Sequence, residues 1–228
     1  MHSGKGKNET RLSMLVNKLH FPVTTLGFGQ RVGIWTQGCS IRCPGCISRD
    51  TWHLQPRYSI SVSSLLDQIN PWLCRADGVT ISGGEPFDQA RALASLVSLL
   101  KAGFSGDVLV YSGYSHKKLL VEFPGILRLV DVLISEPFEV SAAQTLTLRG
   151  SDNQRIFLLS DLARARYPSD IDHQFWDRNR RLDVVVEGDE VWMAGIPRAG
   201  DMARLREELA HRGFAARGSD EPQPLIRA

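Results

Sequence analysis

Apolar runs of strand length alternate with helix-patterned segments along most of the chain. The runs 32-VGIWTQ-37, 78-GVTIS-82, 107-DVLVYS-112, 130-VDVLIS-135 and 155-RIFLL-159 are short, partly β-branched and bounded by Gly, Pro, Ser or Asp, as strands are. Between the first two, Val62, Leu65, Leu66, Ile69, Trp72 and Leu73 recur at helical spacing; Leu93, Leu96, Val97 and Leu100 do the same in the next connector, with Asp88 placed to cap it. Near-continuous apolar strands separated by helices predict an α/β fold with a parallel sheet. That sheet is either open or an incomplete barrel, a choice that periodicity leaves undecided. After residue 182 the style changes. Two β-rich runs in 183-DVVVEGDEVWMAG-195 flank Gly188-Asp189 and predict an antiparallel hairpin, followed by an amphipathic helix in 201-DMARLREELAHRG-213. Hairpin and helix are read as a C-terminal cap, 183–213, on one domain spanning 15–214. Residues 1–14 and 215–228 are polar or turn-rich and are expected to be flexible.

Composition narrows the function classes. Of the 228 residues 43% are hydrophobic and 23% charged, and the net charge of +2 is dispersed rather than gathered into a stripe. A nucleic-acid partner therefore has no footprint here. No apolar run approaches the roughly 20 residues needed to cross a bilayer, and the polar start lacks the apolar core of a secretory signal. The expected setting is the cytoplasm, with no membrane partner. In that reducing compartment clustered cysteines are more often metal ligands or redox groups than disulfides.

Three of the four cysteines, Cys39, Cys43 and Cys46, fall within eight residues in 37-QGCSIRCPGCISRDTW-52. A structural zinc site takes four protein ligands, usually as two separated pairs. Only three are evident here, since His53 lies seven residues past Cys46, beyond the usual short spacing. A [4Fe–4S] cluster held by three thiolates instead leaves one iron open to a substrate or cofactor. Gly38, Pro44 and Gly45 suit a compact loop. The stretch 82-SGGEPFDQ-89 follows a predicted strand and precedes a helix. Its two glycines permit close backbone approach to a ligand, although the same pattern also serves a plain strand-to-helix turn. Its place one strand after the cysteine loop gives it weight, because loops at the carboxyl ends of successive parallel strands converge on one site.

Taken together, 38-GCSIRCPGCISRDTW-52, 82-SGGEPFDQ-89, 111-YSGYS-115 and 149-RGSDNQRI-156 resemble the radical S-adenosylmethionine (SAM) superfamily. Within it they are similar to the activating components of anaerobic ribonucleotide reductase and, less closely, to the pyruvate formate-lyase activating enzymes. The resemblance covers about residues 15–160. It implies a partial (β/α) barrel, a [4Fe–4S] cluster on Cys39, Cys43 and Cys46, and SAM bound to the open iron. One electron passed through the cluster would cleave SAM to methionine and a 5′-deoxyadenosyl radical. The radical would then abstract hydrogen from a glycyl-radical enzyme, with a flavodoxin or ferredoxin as electron donor. Carried over by position, Gly45, Cys46 and Ile47 would run beside the adenine, and Gly83 and Gly84 would meet the methionyl amino group with Glu85 shaping the turn. Tyr111, Ser112 and Ser135 complete the candidate SAM contacts. The chain departs from the pattern at Ile47, where an aromatic residue is common, and at Ser135-Glu136, where the family often has Asp-Gly. Two other readings stand beside this one: a radical SAM enzyme acting on a small molecule, and a metal-stabilised interaction module without catalysis.

The remaining candidates read as structural. Cys74 ends an apolar helical segment and is expected to be a buried thiol. Trp35, Trp52, Trp72, Trp176 and Trp192 suit core or interface positions, and 178-RNRR-181 a charged turn. Arg149, Asn153, Gln154 and Arg155 shape either the SAM site, a partner surface or a solvated loop.

Overall fold

The computed structural model describes residues 12–175, 182–188 and 190–221; Trp176 and the 178–181 run lie outside them. Nine strands and six α-helices follow in the order β1 (Ser13–Val23), β2 (Arg31–Thr36), β3 (Ser59–Ser61), α1 (Val62–Leu73), β4 (Gly78–Gly83), α2 (Ala90–Gly103), β5 (Asp107–Tyr111), α3 (His116–Glu122), α4 (Pro124–Leu127), β6 (Val132–Ser135), β7 (Arg155–Leu158), α5 (Asp161–Arg166), β8 (Leu182–Glu187), β9 (Glu190–Gly195) and α6 (Asp201–His211). Seven strands make one sheet in the order β3-β1-β2-β4-β5-β6-β7, and β8-β9 form a separate hairpin. The pairs β2–β4, β4–β5 and β5–β6 are parallel, so this half of the fold is the α/β architecture that the alternating pattern predicts. Among the described residues no ladder joins β3 to β7, and the sheet is open, as a partial barrel is.

Side-chain alternation divides the sheet into two faces. Val32, Ile34, Val79, Ile81, Val108 and Val110 pack with Leu65 and Ile69 of α1 and Leu93, Leu96, Val97 and Leu100 of α2 in the main core. The other face carries Leu109, Val132 and Ile134 with Leu148, Ile156, Tyr167 and Ile171. Trp192 of the hairpin closes the β1–β2 end of that face, its ring 5.0 Å from Trp35 in an edge-on contact. Asp183 anchors the hairpin by accepting hydrogen bonds from the Thr24 N–H at 2.7 Å and the Thr24 hydroxyl at 2.6 Å.

Several expectations change. The 11-residue β1 was not foreseen, because its half-buried polar members Asn17, Lys18 and His20 blur the strand signal. Its Met14 is fully buried, so order begins inside the 1–14 segment expected to be flexible; residues 1–11 lie outside the described part. β7 is antiparallel to β6, not parallel. A parallel return needs a crossover, usually helical; residues 136–154 contain no helix, stay at the carboxyl end of β6 and enter β7 from there. Cys74 is exposed at the end of α1, not buried. Asp88 does not cap α2, whose N-cap position is Gln89 without a side-chain bond; the Glu85 side chain caps the preceding 86–89 turn, accepting from the Phe87 N–H. The 215–228 tail is ordered in part, since Arg49 N–H donates to the Ser219 carbonyl at 2.9 Å.

Candidate functional site

Because β2, β4, β5 and β6 run parallel as neighbours, the loops leaving their carboxyl ends meet. These loops carry Gly38–Cys46, Gly83–Glu85, Ser112–Tyr114 and Ser135–Val140. The cysteine loop is folded by its own backbone and by residues behind it. Gly38 and Cys39 N–H donate to the Thr51 and Trp52 carbonyls at 2.7 and 3.0 Å, and Cys46 N–H to the Cys43 carbonyl at 3.1 Å. The buried Gln37 amide holds the loop's base, donating to the Asp50 and His53 carbonyls at 3.1 and 2.6 Å. Arg42 adopts a left-handed backbone with φ of 53°, which turns the chain between Cys39 and Cys43.

The Gly83–Glu85 turn lies directly against this loop. Gly84 and Glu85 N–H donate to the Thr36 and Gly38 carbonyls at 2.8 and 2.9 Å. A Cβ at Gly84 would lie 2.1 Å from the Gly38 carbonyl oxygen, and one at Gly83, where φ is 97°, 2.5 Å from the Thr36 nitrogen. Glycine is thus required by the approach of one backbone to another. Asp88 ties the loops together at the surface, accepting from the Ser40 N–H and hydroxyl at 2.7 and 2.9 Å and from the Tyr114 hydroxyl at 2.6 Å.

Glu85 is the buried centre, only 1% exposed. It accepts from the Phe87 N–H at 3.0 Å, the Ser112 hydroxyl at 2.8 Å and the Gly113 N–H at 2.8 Å. Burial pushes its carboxyl up to about 7, against the pull of those three donors. Ser112 is therefore turned towards Glu85, and the Tyr111 hydroxyl donates to the Leu148 carbonyl at 2.8 Å. Ser135 is fully buried, and its hydroxyl has no partner.

The 149-RGSDNQR-155 stretch acts as scaffold beneath the fourth loop. Arg149 is fully buried and donates to the Gln154 carbonyl at 2.6 Å. Gln154 and Asn153 amides in turn donate to the Glu136 and Pro137 carbonyls at 3.0 and 2.8 Å. The supported loop reaches the cysteines: a Cβ at Gly45, where φ is 77°, would lie 2.9 Å from a Val140 methyl and 3.3 Å from the Phe138 ring. The solvated-loop reading fails for Arg149, which has no exposed surface, whereas Arg155 is exposed.

The donor set suits an iron–sulfur cluster. All three clustered cysteines are free thiols, half-buried. Burial pushes each thiol up, while nearby backbone N–H groups favour the thiolate: Ile41 and Arg42 at Cys39, Phe138 at Cys43, Ser48 at Cys46. Amides pointed at sulfur are the means by which proteins stabilise and tune such clusters. The Trp52 indole N–H, which has no partner within hydrogen-bonding geometry, lies near enough to Cys46 to favour its thiolate as well. Among the described residues no three His, Cys, Asp or Glu side chains are close enough to grip a single metal ion.

A family model described as a 4Fe-4S single cluster domain matches residues 25–157. The chain belongs to this radical SAM family. It is an enzyme whose cofactors are a [4Fe–4S] cluster and SAM. It is 31% identical over 140 residues to the anaerobic ribonucleoside-triphosphate reductase-activating protein of Enterobacteria phage T4, covering 59% of this chain and 88% of that one. The pyruvate formate-lyase-activating enzyme of Streptococcus mutans is 27% identical over 188 residues, 79% of this chain and 70% of that one. The crystal structure of QueE from Escherichia coli overlays with a TM-score of 0.43 and 21% identity, over 50% of this chain and 60% of that one. No helix among the described residues of this radical SAM enzyme is long and apolar enough to cross a membrane. Around the candidate site, motif reading passed over Gln37, a tether of the cysteine loop, and Ser219, which has no motif at all; Asp88, read as a cap, is a tether between loops, and Glu85, read as shaping the turn, is also a buried acceptor.

Proposed function

We propose that this enzyme installs a glycyl radical on a partner protein, with Cys39, Cys43 and Cys46 holding the cluster and the neighbouring strand-end loops holding SAM. The observation that carries the reading is the meeting of the cysteine loop with the Gly83–Glu85 turn, backbone against backbone, at the ends of two adjacent parallel strands. The names of the relatives supply the partner class. When bound, the cluster supplies the electron that splits SAM and so generates the 5′-deoxyadenosyl radical.

The protein's own work is placement and exclusion of water. The Gly83–Glu85 turn and the Ser135 hydroxyl would face the methionyl end of SAM, with Ser112 contributing from behind through its bond to Glu85, while Gly45, Cys46 and Ile47 would run beside the adenine. Tyr111 forms a wall, held by Leu148. The Ser135 hydroxyl, buried without a protein partner, has its hydrogen-bonding capacity left for a ligand. A flavodoxin or ferredoxin in the cytoplasm delivers the electron.

Anaerobic reconstitution with iron and sulfide, then dithionite and SAM, tests the chemistry. The expected result is a brown protein that releases 5′-deoxyadenosine, with both properties lost in Cys39→Ala, Cys43→Ala and Cys46→Ala and kept in Cys74→Ala. A doublet EPR signal from a glycyl radical on a candidate partner is expected next. Cleavage of SAM without such a signal on any glycyl-radical protein encoded alongside would overturn the activating role.

A further inference from the structure

The tail returns to the site. Residues 211–217 are exposed, but Gly218, Ser219, Asp220 and Glu221 are half-buried again. Ser219 brackets the backbone that leaves the third cysteine. Its hydroxyl donates to the Ile47 carbonyl at 2.8 Å, and its carbonyl accepts from the Arg49 N–H at 2.9 Å. Between those two bonds sits Ser48, whose N–H favours the Cys46 thiolate.

The turn that presents Ser219 is stiff. Glu221 N–H donates to the Gly218 carbonyl at 3.2 Å, and a Cβ at Gly218 would lie 2.2 Å from an Asp220 carboxylate oxygen. Arg206 of α6 donates to both Asp220 oxygens at 2.8 and 2.9 Å and pairs with Glu221 at 3.4 Å. One guanidinium thus closes two carboxylates into the turn. α6 has no fully buried residue, and these ion pairs join helix to tail. In the segment they restrain, Arg49 Nε and Asp50 Oδ1 are buried without hydrogen-bond partners. α6 and the tail lie beyond residues 25–157, the part the family model matches, whereas the backbone they hold lies within it.

We propose that Gly218–Glu221 is a latch that fixes the Ile47–Arg49 backbone and thereby sets the affinity for SAM. Ser219 is its positioning residue, and Arg206 holds it closed. The effect on SAM rests on the function proposed above; the latch itself does not. Binding is reciprocal, so a loop held in the SAM-bound shape spares the ligand the work of ordering it.

The test compares wild type, Arg206→Glu, and Arg206→Glu combined with Asp220→Arg. Hydrogen exchange followed by mass spectrometry on metal-free protein reads residues 47–52. Arg206→Glu is expected to speed exchange there on the order of tenfold, the worth of one or two hydrogen bonds, and the charge swap to restore most of the protection. In reconstituted protein the KM for SAM should rise about fivefold in Arg206→Glu with kcat for SAM cleavage little changed, and fall again in the swap. Equal exchange in wild type and Arg206→Glu overturns the latch, as does faster exchange with no change in KM, which would make the contact structural only. Wild-type protein that cleaves no SAM counts against the proposed function instead, and the exchange comparison on metal-free protein is unaffected by it.

Discussion

At the amino-terminal end of the parallel strands, Arg31 and Asp107 are both fully buried and joined at 2.7 Å. Arg31 also donates to the Thr80 hydroxyl at 2.6 Å and to the Val79 and Phe28 carbonyls at 2.9 and 3.1 Å. Tyr167 and Arg166 complete Asp107 at 3.0 and 3.2 Å. At the carboxyl end the polar groups are as numerous, but five buried side-chain atoms are left without partners: Arg49 Nε, Asp50 Oδ1, Trp52 Nε1, Ser135 Oγ and Asn153 Oδ1. Among the described residues, every such atom lies on the loops at this end. A buried polar group left unpaired lowers stability, so its confinement to one end of the sheet marks where the fold trades stability for ligand binding. The opposite end carries the compensation.

Breaking the satisfied end should cost most. Asp107→Ala strands a buried guanidinium and is expected to lower unfolding free energy by about 3–5 kcal/mol, read by denaturant titration of metal-free protein. The next effect is pH-dependent and belongs to the other end. Glu85, raised to about 7 from an ordinary 4.5, keeps a proton in the folded state that the unfolded chain has already lost. Its contribution is therefore complete below about pH 4.5, shrinks as pH rises to 7 and is gone above that. The shift corresponds to about 3 kcal/mol. Glu85→Gln mimics the protonated carboxyl and does not titrate, so the two melting temperatures should lie close at pH 5, and the wild type should fall below the variant at pH 8; a gap independent of pH would refute it.

Smaller changes at the carboxyl end should carry the opposite sign. Ser135→Ala removes an unpaired buried hydroxyl and is expected to raise stability by about 1 kcal/mol while weakening SAM binding, measurable by equilibrium dialysis against the reconstituted enzyme. A loss of stability would show that the hydroxyl is already satisfied. Arg42→Gly relieves a left-handed backbone and should gain at most about 1 kcal/mol, seen as a slightly higher melting temperature.

How much of this the chain announces depends on whether the signal is local. The four parallel strands, α1 and α2 were legible because their apolar residues repeat at fixed spacing, and the three cysteines because thiolates so close in sequence have few other uses. The direction of β7 was not legible: Ile156 and Phe157 read as strand, but direction is set by the helix-free 136–154 connection. Asp88 had the look of a cap, and its pairing with Ser40, 48 residues away, leaves no trace in the pattern around it. Arg149 and Gln154 stood out as a motif, yet their task of propping up Glu136 and Pro137 emerges only when β6 and β7 are paired. Ser219 is the extreme case, 172 residues from the carbonyl it binds.

The 2.1 Å between the Gly38 carbonyl and the place where a side chain on Gly84 would begin also governs how experiments on this protein will be read. An alanine there would most plainly abolish SAM cleavage, and the natural interpretation would be a lost contact with the amino acid end of SAM. Yet the first thing it would do is lever the cysteine loop away from its neighbour, so iron would be lost before any cofactor was offered. Iron content per chain, measured before activity, separates a damaged binding pocket from a displaced hinge of backbone, and Gly84 belongs to the second kind.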